Sequence, residues 1–418
     1  MTGDKIWLFD TTLRDGGQTR GVDFSRADKI AIAEALDEIG IDYIEAGWPG
    51  ANPTDDAFFA APPQLEHAKL VAFGMTRRGG RSAANDPGLN AVINAEVEAI
   101  CLVGKTWDFH VETALMITLD ENLDMISQTL KSAAERGREP MFDCEHFFDG
   151  YKANPSYALD CVSAAKDGGA SWVVLCDTNG GSLPDEVFGI VSKVKEQFPN
   201  LPIGIHCHND AGVAVANSLA AIAAGARQVQ GTINGLGERC GNANLITLIP
   251  SLVFKTDYEI SIPEARLHKL MGLSRFLDDR LNRAPDPHAP YVGEAAFAHK
   301  GGVHIAAVMK NPATYEHIIP QLVGNRQRML VSDYAGRSGL QGKLEAFGVK
   351  LSKDHVKLQE LVKRLKDLEN QGYQFEGAEG SSPTAWKFGH APDSSCRVIR
   401  NARSEEHTSE LQSQFRIS

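Results

Sequence analysis

The chain has no cationic excess. Its 418 residues carry 42 Lys and Arg against 54 Asp and Glu, a formal net charge of −12. A nucleic-acid-binding surface needs the opposite sign, so no nucleic-acid partner is expected. The acidic total does not exclude a small anionic substrate, because the local field of a site can oppose the global one. No apolar run approaches the length of a membrane span. The opening MTGDKIWLFD lacks a cationic start followed by a long apolar core, so neither membrane insertion nor export is expected. Cysteines stand at 101, 144, 161, 176, 207, 240 and 396, with no C-x-x-C pair among them. An odd count in a chain of this size reads as reduced thiols in a cytoplasmic protein. P-loop and dinucleotide fingerprints are absent, as are internal repeats and low-complexity segments.

What is present is a rhythm. Short β-rich apolar runs occur at Ile6–Phe9, Tyr43–Ala46, Leu70–Gly74, Ala99–Val103, Met141–Cys144, Trp172–Cys176, Ile203–Ile205 and Gln228–Ile233. Helix-like stretches separate them. In the first, Ser25 is a candidate N-cap, Ile32, Leu36 and Ile39 share a face, and Gly40 stops the helix. A second follows Leu119, with Leu123, Ile126 and Leu130 in phase, and ends near Gly137. Eight such strands at a spacing of roughly 25–40 residues predict a parallel sheet closed into a (β/α)8 TIM barrel. An open doubly wound sheet is the competing fold. Polar residues at the strand ends favour closure: Asp10, Glu45, Lys105, Glu145, Asp177 to Asn179, His206 to His208 and Asn234 would converge on one mouth. Beyond residue 255 the pattern changes. Pro263 to Leu281 reads as a helix, 283–290 as a linker, and Ser352 to Asn370 as a charged amphipathic helix ending at Gly372. The expected organisation is a barrel over 1–282, a mainly helical appendage over 283–375, and a tail over 376–418.

Four motifs carry chemistry. In H-C-H, His206 and His208 lie two apart on a strand and face one way, a metal-ligand arrangement or else a pair of polar core residues. FDTTLRDGGQ, residues 9–18, sets Arg14 beside Asp15 after the first strand. Asp15 can complete a His-His-carboxylate set or simply cap a turn. GLGERCGNAN, residues 235–244, offers the Asn242 carbonyl to the same metal, or is a structured turn with Glu238 and Arg239 paired at the surface. In a closed barrel these three motifs are neighbours. DCEHFFDGY, residues 143–151, puts Glu145 across the mouth as a candidate general base, or as one half of an ion pair with His146 or a nearby lysine.

Together, D-T-T-L-R-D-G-x-Q, H-x-H and G-x-G-E-R-x-G-N resemble the signatures of the acyltransferase family that includes isopropylmalate synthase and homocitrate synthase. The finer wording, as in GKTWDFHV (104–111), DCEHFFDGYKANP (143–155) and NPATYEHI (311–318), is more similar to that family's citramalate synthase branch, and the likeness runs from residue 5 to 381. The resemblance implies a divalent metal, Mg²⁺ or Mn²⁺ with Zn²⁺ as a further candidate, on Asp15, His206, His208 and Asn242. It implies Arg14 beside the reacting ketone, Glu145 as a catalytic carboxylate and Thr178 on the keto-acid carboxylate. His304 and Tyr315 would reach the site from the appendage of a partner in a homodimer. Acetyl-CoA and pyruvate are the implied substrates, in isoleucine biosynthesis, and no nucleotide cofactor beyond CoA is expected. A longer keto acid, a lyase running the reverse reaction, a carboxyltransferase using Lys105 as metal-site lysine, and an inactive barrel are the alternatives. Two departures stand out. Gly17 occupies a position where many relatives carry Glu. After residue 381 the likeness ends, so residues 382–418 are expected to be a disordered foreign or frame-shifted end in place of a regulatory domain.

Overall fold

The computed structural model describes residues 4–330 and 356–371. The expected tail over 376–418, and the helix stop at Gly372, lie outside the described residues. Eight strands run in parallel: β1 (Lys5–Asp10), β2 (Tyr43–Gly47), β3 (Lys69–Met75), β4 (Ala99–Lys105), β5 (Glu139–Glu145), β6 (Trp172–Asp177), β7 (Ile203–Cys207) and β8 (Gln228–Gly231). β8 pairs with β1 through Leu8 and Val229, and β1 pairs with β2 through Phe9 and Tyr43. The sheet therefore closes on itself as the TIM barrel the strand count implied. Helices follow the strands: α1 (Arg26–Ile39), α2 (Pro53–Ala60), α3 (Pro87–Ile93), α4 (Leu119–Glu135), α5 (Phe147–Ala153) with α6 (Pro155–Asp167), α7 (Pro184–Gln197), α8 (Ala214–Ala223) and α9 (Leu245–Lys255).

Alternation along the strands decides what fills the barrel. Phe9, Tyr43, Val71, Phe73, Ala99, Cys101, Met141 and Trp172 form one buried cluster. They sit two apart along their strands, which puts them on the face turned to the barrel axis. Continuing the same parity toward the C-terminal ends brings Glu45, Asp143, Glu145, His206 and Gln230 onto that face. Residues of the other parity pack under the helices. Local chemistry supports the elements: Ser25 and Asp28 make a reciprocal capping box on α1, and Gly40 ends it at φ 106°. On α4 the buried face is Asn122, Met125, Ile126 and Leu130, so Met125 takes the place expected of Leu123.

Three expectations need correction. β8 stops at Gly231, not Ile233, because Asn234 turns into the left-handed region at φ 59°. The Asn234 amide then donates to Ser274 O and Asp278 Oδ1 and is not at the mouth. The helix read over Pro263 to Leu281 is a tighter 3-10 turn, Glu264–Lys269, followed by α10 (Leu270–Arg280). Arg266 N–H bonds Pro263 O, three residues back, which sets the tighter winding. A short β9 (Glu259–Ile260) adds to the start of β1.

Two compact units are present, Met1–Ala296 with Gln321–Asn325, and Phe297–Pro320 with Arg326–Ser418. The described part of the second holds α11 (Gly302–Val308), α12 (Val356–Asn370) and a parallel pair, β10 (Ala298–His299) with β11 (Arg328–Met329), which the sequence did not announce. Among the described residues no helix is long and apolar enough to cross a membrane.

Asp37, near the end of α1, ties down the approach to β3. Its carboxylate accepts the backbone N–H groups of Glu66, His67 and Ala68 at 2.7–2.8 Å. Burial raises its pKa, but those three donors outweigh burial and leave it below the usual carboxylate value. A depressed folded pKa stabilises at neutral pH and is lost as the group protonates in acid. Asp37→Ala should therefore cost about 1–3 kcal/mol in urea unfolding at pH 7. The gap to the wild-type chain should narrow as the pH falls below about 4.

Candidate metal centre and active site

Three segments meet at the C-terminal mouth of the barrel. Asp15 follows β1, His206 and His208 end β7, and Asn242 follows β8, bridged by its backbone to His208. Asp15 Oδ2 lies 3.2 Å from His206 Nε2, 3.8 Å from His208 Nε2 and accepts from Asn242 Nδ2 at 2.7 Å. All four side chains are buried. Asp15, His206 and His208 each offer one ligand atom within 4.8 Å of the others. Two glycines make the approach possible. A Cβ on Gly237 would meet Asn242 Oδ1 at 2.6 Å, and one on Gly241 would meet Gly235 O at 1.9 Å.

The electrostatics fit a cation. Burial raises the Asp15 pKa, but Arg14 and the two imidazoles overcome it and hold the carboxyl well below its ordinary range. Burial pushes His208 down to about 3, with His206 adding to the effect. His208 is thus neutral, the form that binds a metal. For His206, burial lowers the pKa, and the Asp15 hydrogen bond together with the charges of Asp15 and Asp143 more than reverses it. Asn242 Oδ1 and His208 Nδ1 are buried without a hydrogen-bond partner. Unsatisfied buried acceptors beside an ionised carboxylate are what a hard divalent ion would satisfy.

Below this set runs a polar network inside the barrel. His206 Nδ1 bonds Gln230 Oε1 at 2.8 Å, and Gln230 Nε2 donates to Asp143 Oδ1 at 3.1 Å. Arg14 donates from Nε to Glu45 Oε1 at 2.5 Å, lies 3.9 Å over the Phe73 ring, and sits 3.9 Å from Asp15. Burial lifts Glu45 to about 7 against the pull of Arg14, and burial likewise raises Asp143. Three buried carboxyls thus share one guanidinium. Gln230 and Asp143 were missed as site residues. The only signal was a buried amide and acid in otherwise apolar strands, and two residues of that kind do not declare which histidine they serve.

Across the mouth, Glu145 is ion-paired with Lys105. The side chain of Lys105 is only 19% exposed. Thr178 sits beyond β6, and its Oγ1 accepts the backbone N–H of His146 at 2.8 Å. His146 holds a left-handed backbone at φ 57° to make that bond. Other strand-end polar groups have local duties. Asp10 accepts from Thr12 N and Oγ1, and Asp177 from Ser182. Arg239 pairs with Asp210 and Glu238, so the expected Glu238 partnership is joined by a second acid. His304 and Tyr315 belong to the second unit, where their rings lie 4.3 Å apart.

Comparison with known proteins agrees with this geometry. The HMGL-like family matches residues 5–277, and a homocitrate synthase post-HMGL domain-like family matches 291–373. The (R)-citramalate synthase of Aquifex aeolicus is 53% identical over 380 residues, 90% of this chain and 72% of that protein. That of Synechocystis is 51% identical over 385 residues, 90% of this chain and 70% of that protein. A 2-isopropylmalate synthase of Sulfolobus acidocaldarius is 34% identical over 385 residues, 91% of this chain and 95% of that protein. Among solved structures, the HMG-CoA lyase of Bacillus subtilis superposes with a TM-score of 0.58 at 20% identity, covering 68% of this chain and 97% of that one, which speaks to the fold alone. With identity of that order along nine tenths of its length, the chain belongs to the HMGL-like family and, within it, to the (R)-citramalate synthases.

Proposed function

We propose that the chain condenses the methyl carbon of acetyl-CoA with the ketone carbon of pyruvate and hydrolyses the adduct to (R)-citramalate and free CoA. The observation that carries the reading is the convergence of Asp15, His206, His208 and Arg14 at one barrel mouth in a member of this family. A divalent cation on Asp15, His206, His208 and Asn242, Mg²⁺ or Mn²⁺ with Zn²⁺ as a further candidate, would supply Lewis-acid polarisation of the ketone.

The chain's own residues do the rest. Arg14 has spent its Nε on Glu45, so its terminal N–H groups are the donors left to meet the charge that develops on the ketone oxygen. Thr178 already accepts from His146, so its own proton is free for the keto-acid carboxylate. Glu145, oriented by Lys105, takes a proton from the acetyl methyl group as the new C–C bond forms. Water then cleaves the thioester C–S bond, releasing the CoA thiol and a carboxylate, which makes the sequence irreversible. His304 and Tyr315 enter as groups supplied by a second copy in a homodimer. The exposed Val303, Met309 and Ile319 of the second unit leave apolar surface for such a partner. The resemblance supports a role in isoleucine biosynthesis, and the reduced-thiol reading of the cysteines supports a cytoplasmic one.

A longer keto acid is the competing substrate, since one methylene is worth only about 1–3 kcal/mol in a pocket. Thiol release from acetyl-CoA should occur with pyruvate, be at least about tenfold slower with 2-ketoisovalerate, stop on chelation and return with Mg²⁺ or Mn²⁺. Faster release with 2-ketoisovalerate would reassign the substrate. Glu145→Gln should lower kcat by about 10²–10⁴ with little change in the KM for pyruvate. Asp15→Asn should abolish the Mn²⁺ binding seen by titration calorimetry. Mixing inactive Asp15→Asn chains with His304→Ala chains should restore activity through hybrid dimers. A mixture as dead as its parents would remove His304 from a shared site.

A further inference from the structure

His304 and Tyr315, the two groups of the second unit assigned to a partner's site, are held only loosely by their own surroundings. Both residues are exposed, and neither side chain makes a hydrogen bond among the described residues. His304 lies on α11 with its ring over Gly301, where a Cβ would come within 3.4 Å of Nδ1. Tyr315 ends a 3-10 turn, Pro312–Thr314, that the Asn311 side chain caps by accepting the Ala313 N–H at 3.0 Å. The two rings lie 4.3 Å apart. A ring contact of this kind is worth about 0.5–1.5 kcal/mol, which only matches the rotamer freedom it must restrain.

The next residue along is held tightly. The Glu316 side chain is 3% exposed, and its Oε1 accepts from His299 Nε2 at 3.1 Å and from Gln327 Nε2 at 2.7 Å. One oxygen thus joins three stretches: β10, the turn that ends at Tyr315, and the approach to β11. Backbone bonds complete the frame. The N–H groups of Tyr315 and Glu316 both meet Pro312 O, at 3.1 and 2.9 Å, and Leu330 N–H meets His299 O at 2.9 Å. The His317 ring stacks on the buried Phe297 ring with centroids 6.1 Å apart, a second link between the same two stretches. His304 follows His299 on one stretch, and Tyr315 directly precedes Glu316 on the other. The His299–Glu316 bond therefore ties together the two pieces of chain that carry the exposed pair.

A buried carboxylate is a poor source of stability, since an apolar side chain of similar volume serves as well or better. What it supplies is geometry: an oxygen shared by two fixed donors admits one arrangement of the three stretches. We propose that Glu316 and His299 are positioning residues for the condensation. They hold His304 and Tyr315 in one preformed arrangement, so that the pair meets substrate already ordered. This rests on the reading that His304 and Tyr315 act at the metal centre of a second copy.

The test uses the full chain and introduces Glu316→Ala twice, once into the wild type and once into a His304→Ala/Tyr315→Phe background. In the wild type it should lower kcat about 10–10²-fold. The KM for pyruvate and the affinity for Mn²⁺ should stay within about twofold. In the background lacking both groups it should cut the residual rate by less than about twofold, because it acts through side chains already removed. Glu316→Gln, which keeps an acceptor oxygen for both donors, should recover most of kcat. Glu316→Ala chains mixed with Asp15→Asn chains should regain activity, and mixed with His304→Ala chains should gain nothing over either parent. If Glu316→Ala does not fold, His299→Ala, which leaves Gln327 on the carboxylate, carries the same comparison. Wild-type kcat in Glu316→Ala beside a crippled His304→Ala would overturn the proposal alone. An equal loss in both backgrounds would also overturn it, marking a merely structural role. A fully active His304→Ala would sink the reading beneath it and the proposal with it.

Discussion

A single carboxylate, Asp15, is the point on which the site depends. It is within hydrogen-bonding reach of His206 and Asn242, with His208 and Arg14 just beyond. Burying an ionised carboxyl costs several kcal/mol unless partners compensate. Here the partners come from after β1, from the end of β7 and from after β8. They are together only because β8 closes onto β1. Closure of the sheet and ionisation of Asp15 are therefore coupled. Open the β8–β1 ladder and the carboxylate loses the groups that keep it charged.

The same economy governs the layer beneath. Glu45 and Asp143 are buried acids whose pKa values burial drives upward. One carries Arg14, and the other reaches His206 through Gln230. The network fixes which nitrogen His206 presents to Asp15 and which face of the guanidinium remains available. Such second contacts orient a metal-binding imidazole as firmly as the ligand bond itself. Acidity concentrated around one arginine also makes the pocket receptive to a divalent cation.

Strand parity separates chemistry from construction at the mouth. Glu45, Lys105, Glu145, Thr178, His206 and His208 share the inward parity, while Asp10 and Asp177 face the other way and build turns on Thr12 and Ser182. A list of polar strand ends mixes the two kinds. The alternation of the strand sorts them, once the true register is known.

Much was legible before any coordinates. The eight-fold rhythm specified a closed parallel barrel because parallel strands buried on both faces read as short apolar runs, and H-C-H declared its geometry because strand residues two apart share a side. The capping box at Ser25 and the stop at Gly40 were local and legible for the same reason. Asn234 was misread because a left-handed turn is a property of the backbone there, and asparagine permits it without demanding it. The Lys105–Glu145 pair joins two strands 40 residues apart in sequence, and it forms because β4 and β5 set the two residues opposite one another. Gln230 and Asp143 join strands far apart in sequence and carry no pattern of their own. The sequence by itself determined the barrel and the meeting of Asp15, His206, His208 and Asn242 at its mouth. The tertiary structure alone decided which buried acids serve which cation, because that depends on distances between strands that only closure of the sheet sets.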